Sequence, residues 1–351
     1  MGASIPAFAA PSAKAPLVPH RITRREPGPD DVRIEILYCG VCHSDIHQVR
    51  DEWWPGLFPM VPGHEIVGRV TQVGGSVTKF KTGDLAGVGC FVDSCLECDP
   101  CRKDLEQFCL KGTAYTYNST EMDRKTPTFG GYSAEIVVKE RYTLKVPPSL
   151  DLAAAAPLLC AGITTYSPLR QWKCKPGDRV GVVGLGGLGH MAVKLASAMG
   201  AEVTMLSHSR SKEADARRLG AHAFELTSAP RALKKLSGRF DLLIDTISVE
   251  HDLDAHLGLL RTTGAMVVVG VPPVPAPLGA MALIFGNKKL AGSMIGGIAE
   301  TQEMLDFCAA KKVVADVEMI PIGKINEAYE RMIRSDVRYR FVIDIATLKG
   351  T

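Results

Sequence analysis

The run RVGVV, Arg179–Val183, leads into glycines at 184, 186 and 189 and then an amphipathic stretch from His190 to Met199. Few folds accommodate that order. The β-branched residues predict a strand, the glycines a tight turn and the stretch beyond them a helix. Strand, G-x-G-x-x-G turn and helix make the opening unit of a parallel sheet that binds a dinucleotide. In such a unit the first glycine permits the turn, the second lets the backbone approach a pyrophosphate, and the third lets the helix pack on the strand. Taken alone, the run fits equally a glycine-rich turn with no ligand.

Its surroundings supply the context. From Pro147-Pro148 onward strands and helices alternate: strands at Arg179–Val183, Glu202–Ser207, near Ala223, and at Asp241–Asp245, Ala265–Gly270 and Leu290–Met294, with helices to Met199 and over Lys212–Leu219. About six parallel strands of this kind make a doubly wound domain. The earlier half reads differently. Val32–Tyr38, Ile66–Val73 and Leu85–Val88 alternate apolar and polar residues as half-buried strands do, and glycine pairs and Pro-rich loops separate them. The tail predicts helices over Asp306–Lys312 and Ile325–Arg334 and a last strand over Arg338–Ile345, and is assigned back to the β-rich part. The expected organisation is therefore α/β, with a β-rich domain from residues 1–152 and 297–351 and a doubly wound domain from 153–296. A chain of 351 residues is long enough for both cores.

Net charge is +3 and the basic residues are scattered, which argues against a nucleic-acid partner. The N-terminal stretch has no basic region followed by an apolar one, so a cytoplasmic location is expected. The uncharged stretch Leu152–Leu169 reaches membrane-span length, but Pro157, Gly162 and Pro168 interrupt it, and it reads as a buried boundary segment.

Cysteine usage points to metal. Of the 10 cysteines, five fall between Cys90 and Cys109. Cys95, Cys98, Cys101 and Cys109 form a C-x2-C-x2-C-x7-C insertion with no hydrophobic period of its own, so something other than a core must order it. Four thiolates can close a tetrahedral Zn2+ site, worth on the order of 10 kcal/mol in small zinc modules. Cys42, His64 and Cys160 could hold a second zinc with one position open, or could be three buried residues that never meet a metal; their wide separation does not decide. Cys39, Cys174 and Cys308 are read as buried packing.

The dinucleotide turn carries its own choice of cofactor. About 20 residues past the first glycines an NAD site offers Asp or Glu to the ribose hydroxyls. Here Ser207, His208, Ser209, Arg210, Ser211 and Lys212 stand in that place. With no carboxylate to repel it and with hydroxyls and positive charge to receive it, a 2′-phosphate is expected, and so NADP(H). Arg210 and Ser211 fit a solvated loop and helix cap equally well.

Seven segments occur together in order: CGVCHSDIH, VPGHEIVGRV, the four-cysteine loop, PLLCAGITTYSPL, GVVGLGGLGH, GSMIGG and DVRYRFVID. Across essentially its whole length the chain resembles the zinc-containing medium-chain alcohol dehydrogenases, and most of all the cinnamyl-alcohol-dehydrogenase group with its bacterial broad-range aldehyde reductases. That resemblance implies a GroES-like catalytic domain beside a Rossmann domain, and zinc-dependent, NADPH-linked reduction of aldehydes to primary alcohols. It implies catalytic zinc on Cys42, His64 and Cys160 with Glu65 adjacent, structural zinc on the four-cysteine loop, and hence two zinc ions per chain. Ser44 is implied as the hydroxyl touching the substrate oxygen, His47 as the outer proton exchanger and Asp45 as the carboxylate orienting His64 or the zinc loop. Cofactor contacts are implied at His43, Thr164, Gly184, Leu185, Gly186, Gly187, Leu188, Gly189, Ser207, His208, Ser209, Lys212, Val271, Ser293, Ile295 and Arg338. By the same correspondence Gln48, Trp53, Leu57, Met60, Cys90 and Met294 line an apolar substrate slot. Lignin-forming plant enzymes place a tryptophan just after the zinc loop, where this chain has Ala114 and Tyr115, and that difference favours a generalist. Relatives of this group commonly pair as homodimers.

Overall fold

A computed structural model describes residues 4–229 and 231–350. The chain folds as two compact units. One takes the residues up to Cys160 together with those from Gly296 onward, and the other is Ala161–Ile295.

The discontinuous unit is built on a seven-stranded sheet. Asp31–Gly40 runs through its middle, pairing antiparallel with Ile66–Val73, Glu135–Lys139 and Arg340–Asp344. Leu85–Val88 and Leu144–Lys145 extend one side, and Val317–Pro321 closes the other. Alternation sets the burial of the central strand: Val32, Ile34 and Ile36 face the core while Arg33 and Glu35 do not. The strand Val317–Pro321 is an addition to the sequence reading. Its residues are mostly half-exposed and include Pro321, as an edge strand allows, so no alternating pattern marks it.

The other unit carries a six-stranded parallel sheet: β1 Arg179–Val183, β2 Glu202–Ser207, β3 Ala223–Leu226, β4 Phe240–Asp245, β5 Leu260–Val268 and β6 Lys289–Gly292. Their order is β3-β2-β1-β4-β5-β6, the doubly wound arrangement. Residues of β1, β2 and β4 are apolar on both faces because helices cover both sides. The helix Gly187–Ala198 buries Met191, Ala192, Val193, Leu195 and Ala196.

Two boundaries move most. The helix expected over Asp306–Lys312 spans Ile298–Lys311, its buried Thr301, Met304, Leu305 and Cys308 interleaved with enough polar residues to hide the period in its first turns. β5 begins at Leu260, five residues early, because Leu260 pairs with Phe240 before a register shift between Phe240 and Leu242. Among the described residues no single helix is long and apolar enough to cross a membrane; Leu152–Leu159 and Ala161–Gln171 are separate helical segments, largely buried.

Candidate active site

The central strand Asp31–Gly40 ends where chemistry begins. Its chain continues into the short helix His43–Val49, whose N-terminus is closed by Asp45 accepting the Cys42 N–H at 2.9 Å. His64 and Glu65 immediately precede the strand Ile66–Val73, and Cys160 ends the turn Ala156–Leu159. Three distant stretches thereby meet. Cys42, His64, Glu65 and Cys160, all buried, offer donor atoms within 4.8 Å of one another.

These donors suit zinc. The Cys42 and Cys160 Sγ atoms are 3.9 Å apart, against about 3.8 Å for two sulfurs each about 2.3 Å from one tetrahedral ion. His64 Nδ1 lies 3.1 Å from Asp45 Oδ1, which leaves Nε2 for a metal. Glu65 Oε2 is buried with no hydrogen-bond partner, an acceptor a cation would satisfy. The Cys160 thiol, hydrogen-bonded to Cys42, holds Cys42 well below the usual thiol range, and Cys160 is itself pushed well above it. Burial raises the Glu65 carboxyl to about 7 against the opposing pull of Arg340.

Asp45 is the hub of this cluster. Fully buried, it accepts from Cys42 N, Gly63 N at 3.2 Å and Tyr132 Oη at 3.1 Å while facing His64. Tyr329 Oη lies 3.5 Å from Tyr132 Oη, and Tyr117 stacks on His64 at 5.8 Å. Neither the tyrosines nor Arg340, whose guanidinium bonds Glu65, were foreseen from sequence. An arginine inside the apolar strand RFVID was the available signal.

His47 sits farther along the same helix, partly exposed. Its Nδ1 meets Glu52 Oε2 at 2.6 Å, and its ring stacks on Trp53 at 4.7 Å. Trp53, expected as a pocket wall, thus packs on the imidazole, and Trp54 and Tyr115 continue the aromatic row. Glu52 was missed because Asp-Glu-Trp-Trp reads locally as an ordinary polar loop. Ser44 Oγ is 3.5 Å from Cys42 Sγ, and His43 is exposed. Gln48 is buried and receives Asn118 Nδ2, Met60 is buried, Cys90 approaches the Leu159 carbonyl at 3.7 Å, and Leu57 is exposed. Arg338 is exposed.

Cys95, Cys98, Cys101 and Cys109 also bring their thiols within 4.8 Å of one another. The Cys95 N–H donates to Cys109 Sγ and the Leu110 N–H to Cys98 Sγ, each at 3.4 Å, and Ser94 Oγ sits 3.2 Å from Cys101 Sγ and 2.7 Å from Tyr142 Oη. Backbone N–H groups aimed at sulfur suit thiolates, the form that binds metal. Glu106, within this loop, accepts the Ile298 N–H at 3.2 Å at the start of the helix Ile298–Lys311.

In the parallel unit the glycine positions separate by role. Gly184 has φ +90°, and a Cβ on Gly189 would fall 1.9 Å from the Gly184 carbonyl oxygen, so turn and helix close on each other there. Beside Gly186 a Cβ would meet nothing within 4 Å, which leaves that backbone open to a ligand. Leu185 is buried, while Gly187 and Leu188 begin the helix. At the end of β2, Ser207 Oγ accepts the Ser209 N–H at 3.3 Å, and Ser209 Oγ and Ser211 Oγ are 2.8 Å apart. Arg210 turns to Glu213 at 3.3 Å and His208 is exposed. A 2′-phosphate fits this carboxylate-free turn. Thr164 is buried in the helix Ala161–Gln171, Val271 and Met294 are exposed, Ser293 Oγ is a buried oxygen with no hydrogen-bond partner, and Ile295 adopts φ +42°.

Comparison with known proteins decides the family. Residues 28–148 match the alcohol dehydrogenase GroES-like domain, and residues 187–310 match the zinc-binding dehydrogenase domain. The chain is 57% identical over 348 residues to NADP-dependent alcohol dehydrogenase C 1 of Mycolicibacterium smegmatis, covering 99% of each. The chain belongs to the zinc-binding alcohol dehydrogenase family. Within that family it is also 55% identical to the aldehyde reductase YahK of Escherichia coli, over 98% of this chain and 99% of the relative. A solved cinnamyl alcohol dehydrogenase of Sorghum bicolor superposes with a TM-score of 0.95 at 46% identity, over 98% of both chains. The GroES-like and Rossmann-type domains expected from the sequence are those of the family.

Proposed function

We propose that the protein reduces a broad range of aldehydes to primary alcohols with NADPH: RCHO + NADPH + H+ gives RCH2OH + NADP+, reversibly. The observation that carries this reading is the buried Cys42, His64 and Cys160 donor set beside a partnerless Glu65 oxygen, in a chain whose other unit holds a carboxylate-free nucleotide turn. Cys42, His64 and Cys160 hold the catalytic zinc, and Cys95, Cys98, Cys101 and Cys109 the structural one. When bound, zinc supplies a Lewis acid for the carbonyl oxygen and NADPH supplies the hydride.

The side chains do the rest. Asp45 fixes the His64 ring so that Nε2 faces inward. Arg340 offsets the Glu65 charge in a place water does not reach. Ser44 Oγ delivers the proton to the nascent alcohol oxygen, and His47 replenishes it from solvent. Glu52 holds the His47 ring against Trp53 and gives the proton a second exit. Ser207, Ser209 and Lys212 receive the 2′-phosphate, and Gly186 admits the pyrophosphate. Gln48, Trp53, Leu57, Met60 and Cys90 contribute the apolar substrate surface.

The test is the initial rate of NADPH and NADH oxidation with benzaldehyde, in wild type and in Ser207→Asp. Wild type is expected to prefer NADPH by at least about 100-fold in kcat/KM, and the variant to lose most of that preference because a carboxylate repels the 2′-phosphate. Equal use of both cofactors by wild type would sink the cofactor assignment.

Glu52→Gln keeps the size of the side chain and removes its charge. It is expected to lower kcat about tenfold, within the usual range for weakened acid-base catalysis, with the KM for NADPH unchanged. An unchanged kcat across pH 6–9 would remove Glu52 from the proton path.

We further propose a cytoplasmic homodimer joined through β6. That strand ends its sheet, and Leu278, Met281, Ile284 and Phe285 nearby are large apolar side chains left exposed. Light scattering should give twice the 37.8 kDa chain mass, and Phe285→Lys should shift it to one chain.

A further inference from the structure

The strand β4 ends at Asp245, which pairs with Val183 at the start of the glycine-rich turn, and Thr246 and Ile247 follow it. Thr246 reaches up to that turn twice. Its N–H donates to the Val183 carbonyl at 3.0 Å, and its Oγ1 donates to the same carbonyl at 2.8 Å with the Gly184 carbonyl at 3.1 Å. A Cβ on Gly184 would lie 3.0 Å from Thr246 Oγ1, and one on Gly189 would lie 3.3 Å from it. The hydroxyl therefore fills the space between the first and third glycines.

The peptide plane turns this contact into a statement about the ligand face. In a trans peptide the C=O and the next N–H point in opposite directions. Holding the Gly184 carbonyl inward therefore aims the Leu185 N–H outward, the orientation a phosphate requires. The Gly184 N–H is already committed to Leu206 O at 3.0 Å.

Thr246 is held in turn by its neighbours. Asp245, fully buried, accepts the Ile247 N–H on Oδ1 at 3.1 Å and meets His251 Nε2 on Oδ2 at 2.8 Å. The other ring nitrogen of His251 bonds the Val249 carbonyl at 2.8 Å. His256 packs edge-on against that ring at 5.4 Å and bonds the Asp252 carbonyl at 2.7 Å. One carboxylate thus closes the segment from 245 to 251 into a loop. Gly270 leaves room for it, since a Cβ there would fall 2.1 Å from the Ile247 carbonyl oxygen.

We propose that Asp245, Thr246 and His251 form a latch that holds the Gly184–Gly189 turn in its dinucleotide-binding shape. They are positioning residues that set cofactor affinity. The proposal rests on the reading of this turn as the NADPH site.

Thr246→Val removes the hydroxyl at nearly constant volume, and Thr246→Ser keeps it; His251→Ala opens the lower half of the latch. The readouts are the Kd for NADPH by nucleotide fluorescence, kcat at saturating NADPH, and the melting temperature of the full chain. Thr246→Val is expected to raise Kd about tenfold with kcat within a factor of two, and Thr246→Ser to restore wild-type affinity. His251→Ala should raise Kd as well, and the Thr246→Val, His251→Ala pair by less than the product of the two, because both open one device. A lowered melting temperature with unchanged Kd in Thr246→Val would overturn the latch, and that variant carries the test if His251→Ala fails to fold. If wild type itself does not bind NADPH, the dinucleotide reading falls together with the latch; if wild type binds and Thr246→Val binds equally well, only the latch falls.

Discussion

Cys42→Ala is expected to abolish aldehyde reduction, with kcat/KM down by at least about 10³-fold. The site assembles two thiols, an imidazole and a carboxylate with the Cys42 and Cys160 sulfurs 3.9 Å apart, and alanine leaves the remaining donors without the second sulfur. Lewis-acid polarisation of a carbonyl is worth several kcal/mol of transition-state stabilisation, and about 4 kcal/mol corresponds to 10³ in rate. The measurement is NADPH oxidation with benzaldehyde, beside zinc content by elemental analysis. Zinc should fall from two ions per chain to one while NADPH binding persists. Retained activity at one zinc per chain would mean that the reaction does not use this donor set.

Cys101→Ala is expected to act on stability. Cys101 is almost wholly buried with Ser94 Oγ 3.2 Å from its sulfur, and burial pushes the thiol up to about 12. Closing a four-thiolate zinc site is worth on the order of 10 kcal/mol. Losing even a third of that lowers Tm by about 10 °C in a domain of this size. The effect should spread beyond the loop, because Glu106 accepts the first N–H of the helix Ile298–Lys311, and Gly297 has no room for a Cβ against the Asp104 carbonyl. Calorimetry should show the fall in Tm, and hydrogen exchange should show lost protection in 95–112 and at the start of that helix. An unchanged Tm with one zinc per chain would show that the loop is ordered without metal.

What the sequence disclosed and what it hid differ in physical kind. The parallel sheet was readable because β1, β2 and β4 carry mostly apolar centres between polar ends and the glycines between β1 and its helix have separate steric duties. The gathering of the four cysteines was readable because their thiols lie close in sequence. The NADP preference followed from side chains missing at one turn, a local property of Ser207 to Lys212. Arg340 on Glu65 was hidden for the opposite reason, since the two lie 275 residues apart, whereas Glu52 is only five residues from His47 and was hidden by the ordinary polar look of its loop. The Asp45 network was half visible. Its carboxylate could be named, but Tyr132 and Tyr329 arrive from far along the chain and leave no mark near CHSDIH.

The placement of Arg340–Asp344 between Val317–Pro321 and Asp31–Gly40 has a consequence for the order of assembly. All three proposed metal ligands have been synthesised once Cys160 has been added, but the guanidinium that meets Glu65 is added about 10–40 s later at 5–20 residues per second. During that interval the parallel unit is synthesised and can form its own core, while the first segment waits with an incomplete sheet edge beside reactive thiols. Every residue of the nucleotide-binding unit is therefore made before the discontinuous unit has its last central strand, Arg340–Asp344.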